Sequence, residues 1–146
     1  MPRIERSIEI HASREAVWKV ISDLDSEPDY WYGTKEVRII TKSDLNVQRE
    51  ITQNFRNHKI LQQVVLHPPD FMEISYLKGL TEGTKMMTIR EISSEVQILN
   101  VAWNVHFTGI YRLATPFIKR HTALGTEHAL ERIKSAAEAK SKQVPI

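Results

Sequence analysis

Apolar positions recur with two different periods along the chain, and the changes of period mark the elements. Residues 3 to 10 mostly alternate, with Ile4, Ile8 and Ile10 on the apolar beats, which predicts a strand ending at a turn over His11-Ala12. Ser13 has the character of a helix N-cap and Glu15 sits where a helix dipole favours an acid. Ala16, Val17, Val20, Ile21 and Leu24 then follow at helical spacing beside Trp18, predicting an amphipathic helix of about three turns. Four acids follow in seven residues, Asp23, Asp25, Glu27 and Asp29, closed by Tyr30, Trp31 and Tyr32; Pro28 fits the first turn of a second short helix capped by Ser26.

From Lys35 to Thr108 the period is two, broken at Ser43-Asp44, Arg56-Asn57, His67 to Asp70, Gly79 to Gly83 and Ser93-Ser94. Six strands with hairpin-length connections follow, so the sheet is expected to be antiparallel and covered on one side. Pro116 to Lys142 reads as a long helix rich in Ala, Lys and Glu. It carries two apolar stripes: Leu113, Phe117, His121, Leu124 and His128 on one, and Leu130, Ile133 and Ala137 well over 90° away, with Gly125 between them. Either the helix bends at Gly125 or it is buried on two sides, unless the glycine simply permits close packing.

Composition narrows this picture by exclusion. The chain has 146 residues, a length that fits one domain spanning 1–146, and its 41% hydrophobic and 26% charged residues are those of an ordinary globular protein. The absence of cysteine excludes disulfides, thiol chemistry and cysteine-ligated metals. The start, MPRIERSIEI, looks like neither a signal nor a transit peptide, and no run reaches the 18 apolar residues of a membrane span, so the expectation is a cytoplasmic protein without membrane insertion. Residues 1 to 73 carry net −2 (10 basic, 12 acidic) and residues 74 to 146 net +4 (10 basic, 6 acidic), too mild an asymmetry to mark a nucleic-acid footprint.

The opening of the chain resembles the START-like (SRPBCC) superfamily. The residues that carry the resemblance are Ile4-Glu5-Arg6-Ser7-Ile8-Glu9-Ile10, Ala12-Ser13-Arg14-Glu15-Ala16-Val17-Trp18, Asp23-Leu24 and Trp31. Within it the chain is most similar to the polyketide cyclase/dehydrase and lipid-transport branch. It lacks the Gly-Trp pair of the Hsp90-activator-like branch, the cysteines of a Rieske module and the glycine-rich loop of the plant-allergen branch. The resemblance implies an α+β helix-grip fold: a curved antiparallel sheet of about seven strands around a long C-terminal helix, with two short helices after the first strand. It also implies a cavity for an apolar ligand between sheet and helix.

Alternation then assigns the cavity wall. In strand 47 to 55, Val47, Arg49, Ile51, Gln53 and Phe55 share one face, which brings a guanidinium inward. On 71 to 78 the internal face is that of Met72, Ile74 and Tyr76, and on 96 to 108 that of Val101, Trp103, Val105 and Phe107. Strand 84 to 92 is ambiguous, Met86, Thr88, Arg90 and Ile92 competing with Met87 and Ile89. The expected ligand-binding set is Trp31, Arg49, Met72, Tyr76, Arg90, Trp103, Phe107, Phe117, His121 and Leu124. A few polar groups converging in an apolar cavity are what small-molecule recognition needs. The plainer reading is core packing for the aromatics, and for an inward Arg an ion pair with Glu73 or Glu91 at the sheet rim.

His121 and His128 stand two helical turns apart, too far to share one ion, so no metal and no cofactor is expected. Motifs for nucleophile-elbow hydrolysis, dinucleotide binding, P-loops and zincins are absent. The expected function is therefore the binding of a small hydrophobic or amphipathic molecule, as carrier or sensor. The alternative is a polyketide cyclase or dehydratase in which Tyr76, Arg49 or His121 would do acid-base work on an enolate. A third reading rests on the seven basic residues against three acids in 112 to 142 and on ribosome-associated relatives, and makes the chain an RNA or ribosome binder; nucleic acid is not the expected partner. The edge strands of an incomplete barrel leave homodimer pairing open.

Overall fold

A computed structural model describes residues 3 to 142, and for Ser141 and Lys142 the backbone alone. Met1, Pro2 and residues 143–146, which fall within the range expected for the domain, lie outside the described residues. Strand β1 (Arg3–Ile10) leads into helix α1 (Arg14–Ile21), a 3-10 turn (Leu24–Ser26) and the one-turn helix α2 (Glu27–Tyr30). Six strands follow: β2 (Thr34–Lys42), β3 (Asn46–Gln53), β4 (Lys59–His67), β5 (Phe71–Lys78), β6 (Thr81–Ser93) and β7 (Val96–Phe107). A second 3-10 segment (Gly109–Ala114) runs into the long helix α3 (Thr115–Lys142).

All seven strands form one antiparallel sheet in the order β1-β7-β6-β5-β4-β3-β2. Five hairpins build it, and β1 closes against β7 from the far end of the chain, Arg3 opposite Asn104 and Ile10 opposite Gln97. The β3–β4 hairpin turns through Phe55 to His58 with positive φ at both Arg56 and Asn57, the signature of a type I′ turn whose twist matches its strands. Phe55, expected on the inner face of its strand, therefore sits in this turn and is half exposed.

Ser13 caps α1 as expected, its hydroxyl oxygen accepting from the Ala16 amide at 3.2 Å. The helix is shorter than its apolar spacing predicts: it stops at Ile21, and Leu24 belongs to the 3-10 turn. The break comes at Asp23, whose carboxylate accepts a hydrogen bond from the Ser26 hydroxyl at 2.7 Å and so starts the next turn. Ser26 thus stands at the N-cap of α2 with its side chain engaged elsewhere.

Helix α3 buries one stripe only. Ala123, Thr126, Ala129, Leu130, Ile133 and Ala137 are buried, whereas Leu113, Phe117, His121, Leu124 and His128 are exposed. Two-sided burial is thereby excluded, and a Cβ added at Gly125 would meet no atom within 4 Å, so this glycine serves no close approach. The C-terminal half of α3 is fastened to the rest: Arg132 donates to the Tyr30 carbonyl, Lys134 to the Glu9 carbonyl, and the His11 amide donates to Glu138. Among the described residues no helix is long and apolar enough to cross a membrane.

Candidate functional site

The antiparallel register lays a polar row across the concave face of the sheet. Arg49 on β3 stands opposite Gln62 on β4, Gln62 opposite Tyr76 on β5, and Tyr76 opposite Gly83 on β6. The adjacent row runs Val47, Val64, Ile74, Lys85, Trp103. Directly opposed side chains lie roughly 5 Å apart, so the two rows form a continuous patch of Arg, Gln, Tyr and Lys framed by aliphatics. Gly83 leaves its place in the row empty for a physical reason: at its φ of +123° a Cβ would collide with the Asn104 carbonyl and the Val105 Cα.

Arg49 is 1% exposed, and its buried charge is answered from outside the sheet. Its Nη2 donates to Glu27 Oε1 at 2.7 Å and its Nε to Gln62 Oε1 at 2.8 Å, while the Thr34 hydroxyl donates to the other Glu27 oxygen at 2.9 Å. The partner is therefore neither Glu73 nor Glu91, as a rim pairing would have it, but the acid at the head of α2. Burial alone would raise the Glu27 pKa; the charges of Arg49 and Lys85 and the two hydrogen bonds outweigh it and hold the carboxyl below its ordinary value. One donor is left over: Arg49 Nη1 is buried and without a hydrogen-bond partner among the described residues.

Lys85 is 3% exposed, with its Nζ 3.3 Å from the centroid of the Trp31 ring and 4.5 Å from that of Trp103. The two indoles meet edge to face at 5.9 Å, and Tyr76 stands 6.0 Å from Trp103. Among the described residues Lys85 forms no ion pair within 4 Å, and its ammonium position lies over two ring faces. Burial first, and then the Arg49 charge, pull its pKa down to about 7 against the opposing influence of Glu27. Tyr76 moves the other way: burial and the Glu27 carboxylate raise its pKa, so the phenol stays protonated.

The structure brings together six of the residues expected to bind the ligand: Trp31, Arg49, Met72, Tyr76, Trp103 and Phe107 lie on or against the concave face. Trp103 is tied to α3 by its Nε1, which donates to Thr126 at 3.0 Å. Four residues are not brought there. Arg90 is exposed because Lys85, Met87 and Ile89 take the inner face of β6, and Phe117, His121 and Leu124 lie on the outer stripe of α3. Lys85, Glu27, Gln62 and Thr34 complete the patch without having been singled out in the sequence. Two grooves open away from this patch: one of about 280 Å³ on the outer side of β2 to β4 and one of about 460 Å³ between β1 and α3.

A seven-stranded antiparallel sheet gripping a C-terminal helix, with two short helices after the first strand, defines a protein of the helix-grip fold. Residues 1–138 match the family described as polyketide cyclase / dehydrase and lipid transport, and the chain belongs to that family. Similar solved structures include a protein of Thermus thermophilus (TM-score 0.82, 12% identity, covering 96% of this chain and 99% of that one). An aromatase/cyclase from a Streptomyces species is similar too (TM-score 0.80, 13% identity, 95% and 94% covered), as is a START superfamily protein from Mycobacterium smegmatis (TM-score 0.70, 15% identity, 98% and 99% covered). At such identities the likeness is one of fold. No curated protein matches the chain significantly.

Proposed function

We propose that the chain acts as one START-like unit that binds a small amphipathic molecule on the concave face, as a carrier or sensor, with an oxygen of the ligand held by Arg49. The observation that carries this reading is the Nη1 of Arg49, a buried charged donor beside Gln62 and Glu27 that has no hydrogen-bond partner among the described residues. An unmade hydrogen bond on a buried charged group is costly, and a ligand carbonyl, carboxylate or phenolate oxygen relieves it. Trp31 belongs to the short connection between α2 and β2, is partly buried, and covers Lys85; displacing it would admit the apolar body of the ligand. The family and the fold support an apolar or polyketide-like ligand.

Titration with anilinonaphthalene sulfonate, an aromatic anion, tests the reading. Arg49→Lys keeps a cation beside Glu27 but removes the guanidinium fork, and is expected to weaken one-to-one binding by at least about tenfold. Equal affinity in wild type and variant, with both folded by melting curve, overturns it.

A second reading, a cyclase or dehydratase, is favoured by one specific observation: a Lys85 amine near neutrality beside a protonated Tyr76 and a free Arg49 donor. In that reading Lys85 takes a proton from the carbon next to a carbonyl, Arg49 holds the enolate oxygen, the enolate carbon bonds to a second carbonyl carbon of the chain, and Tyr76 protonates the alkoxide so formed, the proton on Lys85 then returning to the phenolate. Conversion of a poly-β-ketone by wild type, but not by Lys85→Met with binding retained, distinguishes it from a carrier.

A further inference from the structure

The outer stripe of α3 and the 3-10 segment before it is left unpartnered by the fold. Ile110 and Phe117 are each 77% exposed and Leu113 is 90% exposed, a continuous apolar ridge that Leu124 extends. Isolated exposed hydrophobics are ordinary, but four on one ridge are a surface with a use. Segment 109–126 contains no acidic residue and four basic ones: Arg112, Lys119, Arg120 and His121. Beside the ridge lies the groove of about 460 Å³ between β1 and α3, into which Arg3, Arg6, Lys119 and Arg120 converge. Its one acid, Glu127, is taken by Arg6 at 3.7 Å, and Arg3 leans on Glu5 at 3.6 Å; Lys119 and Arg120 form no ion pair among the described residues.

We infer that this face docks on an anionic phospholipid surface, the groove taking a lipid phosphate and the ridge of Ile110, Leu113 and Phe117 entering the interface. The pairing of an apolar ridge with unneutralised cations fits a lipid headgroup over an apolar layer, and the geometry is that of a helix lying on the surface rather than crossing it. A second copy of the chain is the poorer occupant, because a two-fold contact would set Lys119 and Arg120 against their own copies. Nucleic acid would use the cations and leave Leu113 and Phe117 in water. The inference stands on the outer face alone and does not depend on what the concave face binds.

Co-sedimentation with vesicles of phosphatidylcholine, alone or with about 30 mol% phosphatidylserine, tests it. Wild type is expected to bind the anionic vesicles, to bind neutral ones weakly, and to release as salt rises. Lys119→Glu with Arg120→Glu, and separately Leu113→Asp with Phe117→Asp, should each lower the partition coefficient at least about tenfold. All four positions are exposed, so the melting temperature and dye binding on the concave face should be unchanged, which separates loss of docking from loss of the interior site. No binding by wild type, equal binding to both vesicle types, or variants that bind like wild type overturn the inference. So does a dimer in velocity sedimentation that Leu113→Asp with Phe117→Asp dissolves, or RNA binding that survives that same change.

Discussion

Glu27 and Arg49 illustrate how one pair can be both costly and necessary. Each is charged and almost without solvent contact, and what holds them is a short ion pair completed by Thr34 and Gln62. Removing one partner strands the other as a buried charge. Glu27→Met or Arg49→Met is expected to cost about 3–5 kcal/mol in urea denaturation, whereas the double variant should recover a large part of the loss, because an apolar replacement of both ends needs no desolvation. Independent, additive losses in that cycle would mean that the pair does not act as a unit. Alternation alone brought Arg49 inward, but nothing in the run Asp23, Asp25, Glu27, Asp29 distinguishes the one acid that turns in. That distinction is made in three dimensions, by a 3-10 turn that rotates the head of α2 toward β3.

At the scale of elements, the two faces of α3 should differ sharply in energetic weight. Leu130→Ala opens a cavity between α3 and the core and is expected to cost about 2–5 kcal/mol, while Leu113→Ala, on the outer ridge, should stay within about 0.5 kcal/mol of wild type by the same denaturation measurement. Comparable losses at both sites would contradict the one-sided packing. The seven strands, the two short helices and the long helix are legible in the sequence because period two, period 3.6 and the turn residues mark them without tertiary help. The inner face of β6 is not, and the cause is local. A bulge between Glu91 and Ser93 shifts the β6–β7 register by one residue, and a shift of one exchanges the faces of every side chain before it. Counting back from the Ser93-Ser94 turn without the bulge sets Lys85 against Asn104; with it, Lys85 meets Trp103 and Arg90 turns outward. On α3 the sequence offers two stripes of similar hydrophobicity, and the choice between them is made by β1 and α1, whose positions periodicity does not contain.

For the molecule as a whole, the buried ionisable groups set a stability profile with a definite shape. Glu27 is held below its ordinary pKa of 4.5, so its contribution is present above that value and lost as pH falls through the folded pKa. Lys85 has the opposite sign. Its folded pKa near 7 lies below the ordinary 10.5, so between these values the unfolded chain holds a proton that the folded chain has released, and stability rises with pH across that window. Above pH 10 Tyr76 reverses the trend, since the unfolded phenol ionises first. Chemical denaturation at a series of pH values should show the rise from about 7 toward 10, and Lys85→Met should flatten it; an unchanged slope in that variant would place the neutral-range titration elsewhere. The same lysine has an optical consequence. It lies against two of the three tryptophans in the chain, with Trp18 apart on α1, so its gain or loss of a proton alters the field across the Trp31 and Trp103 indoles directly. The interior thereby carries its own fluorescent indicator, whose emission colour and intensity follow the charge of a single amine near neutrality and change again when anything lifts Trp31 away.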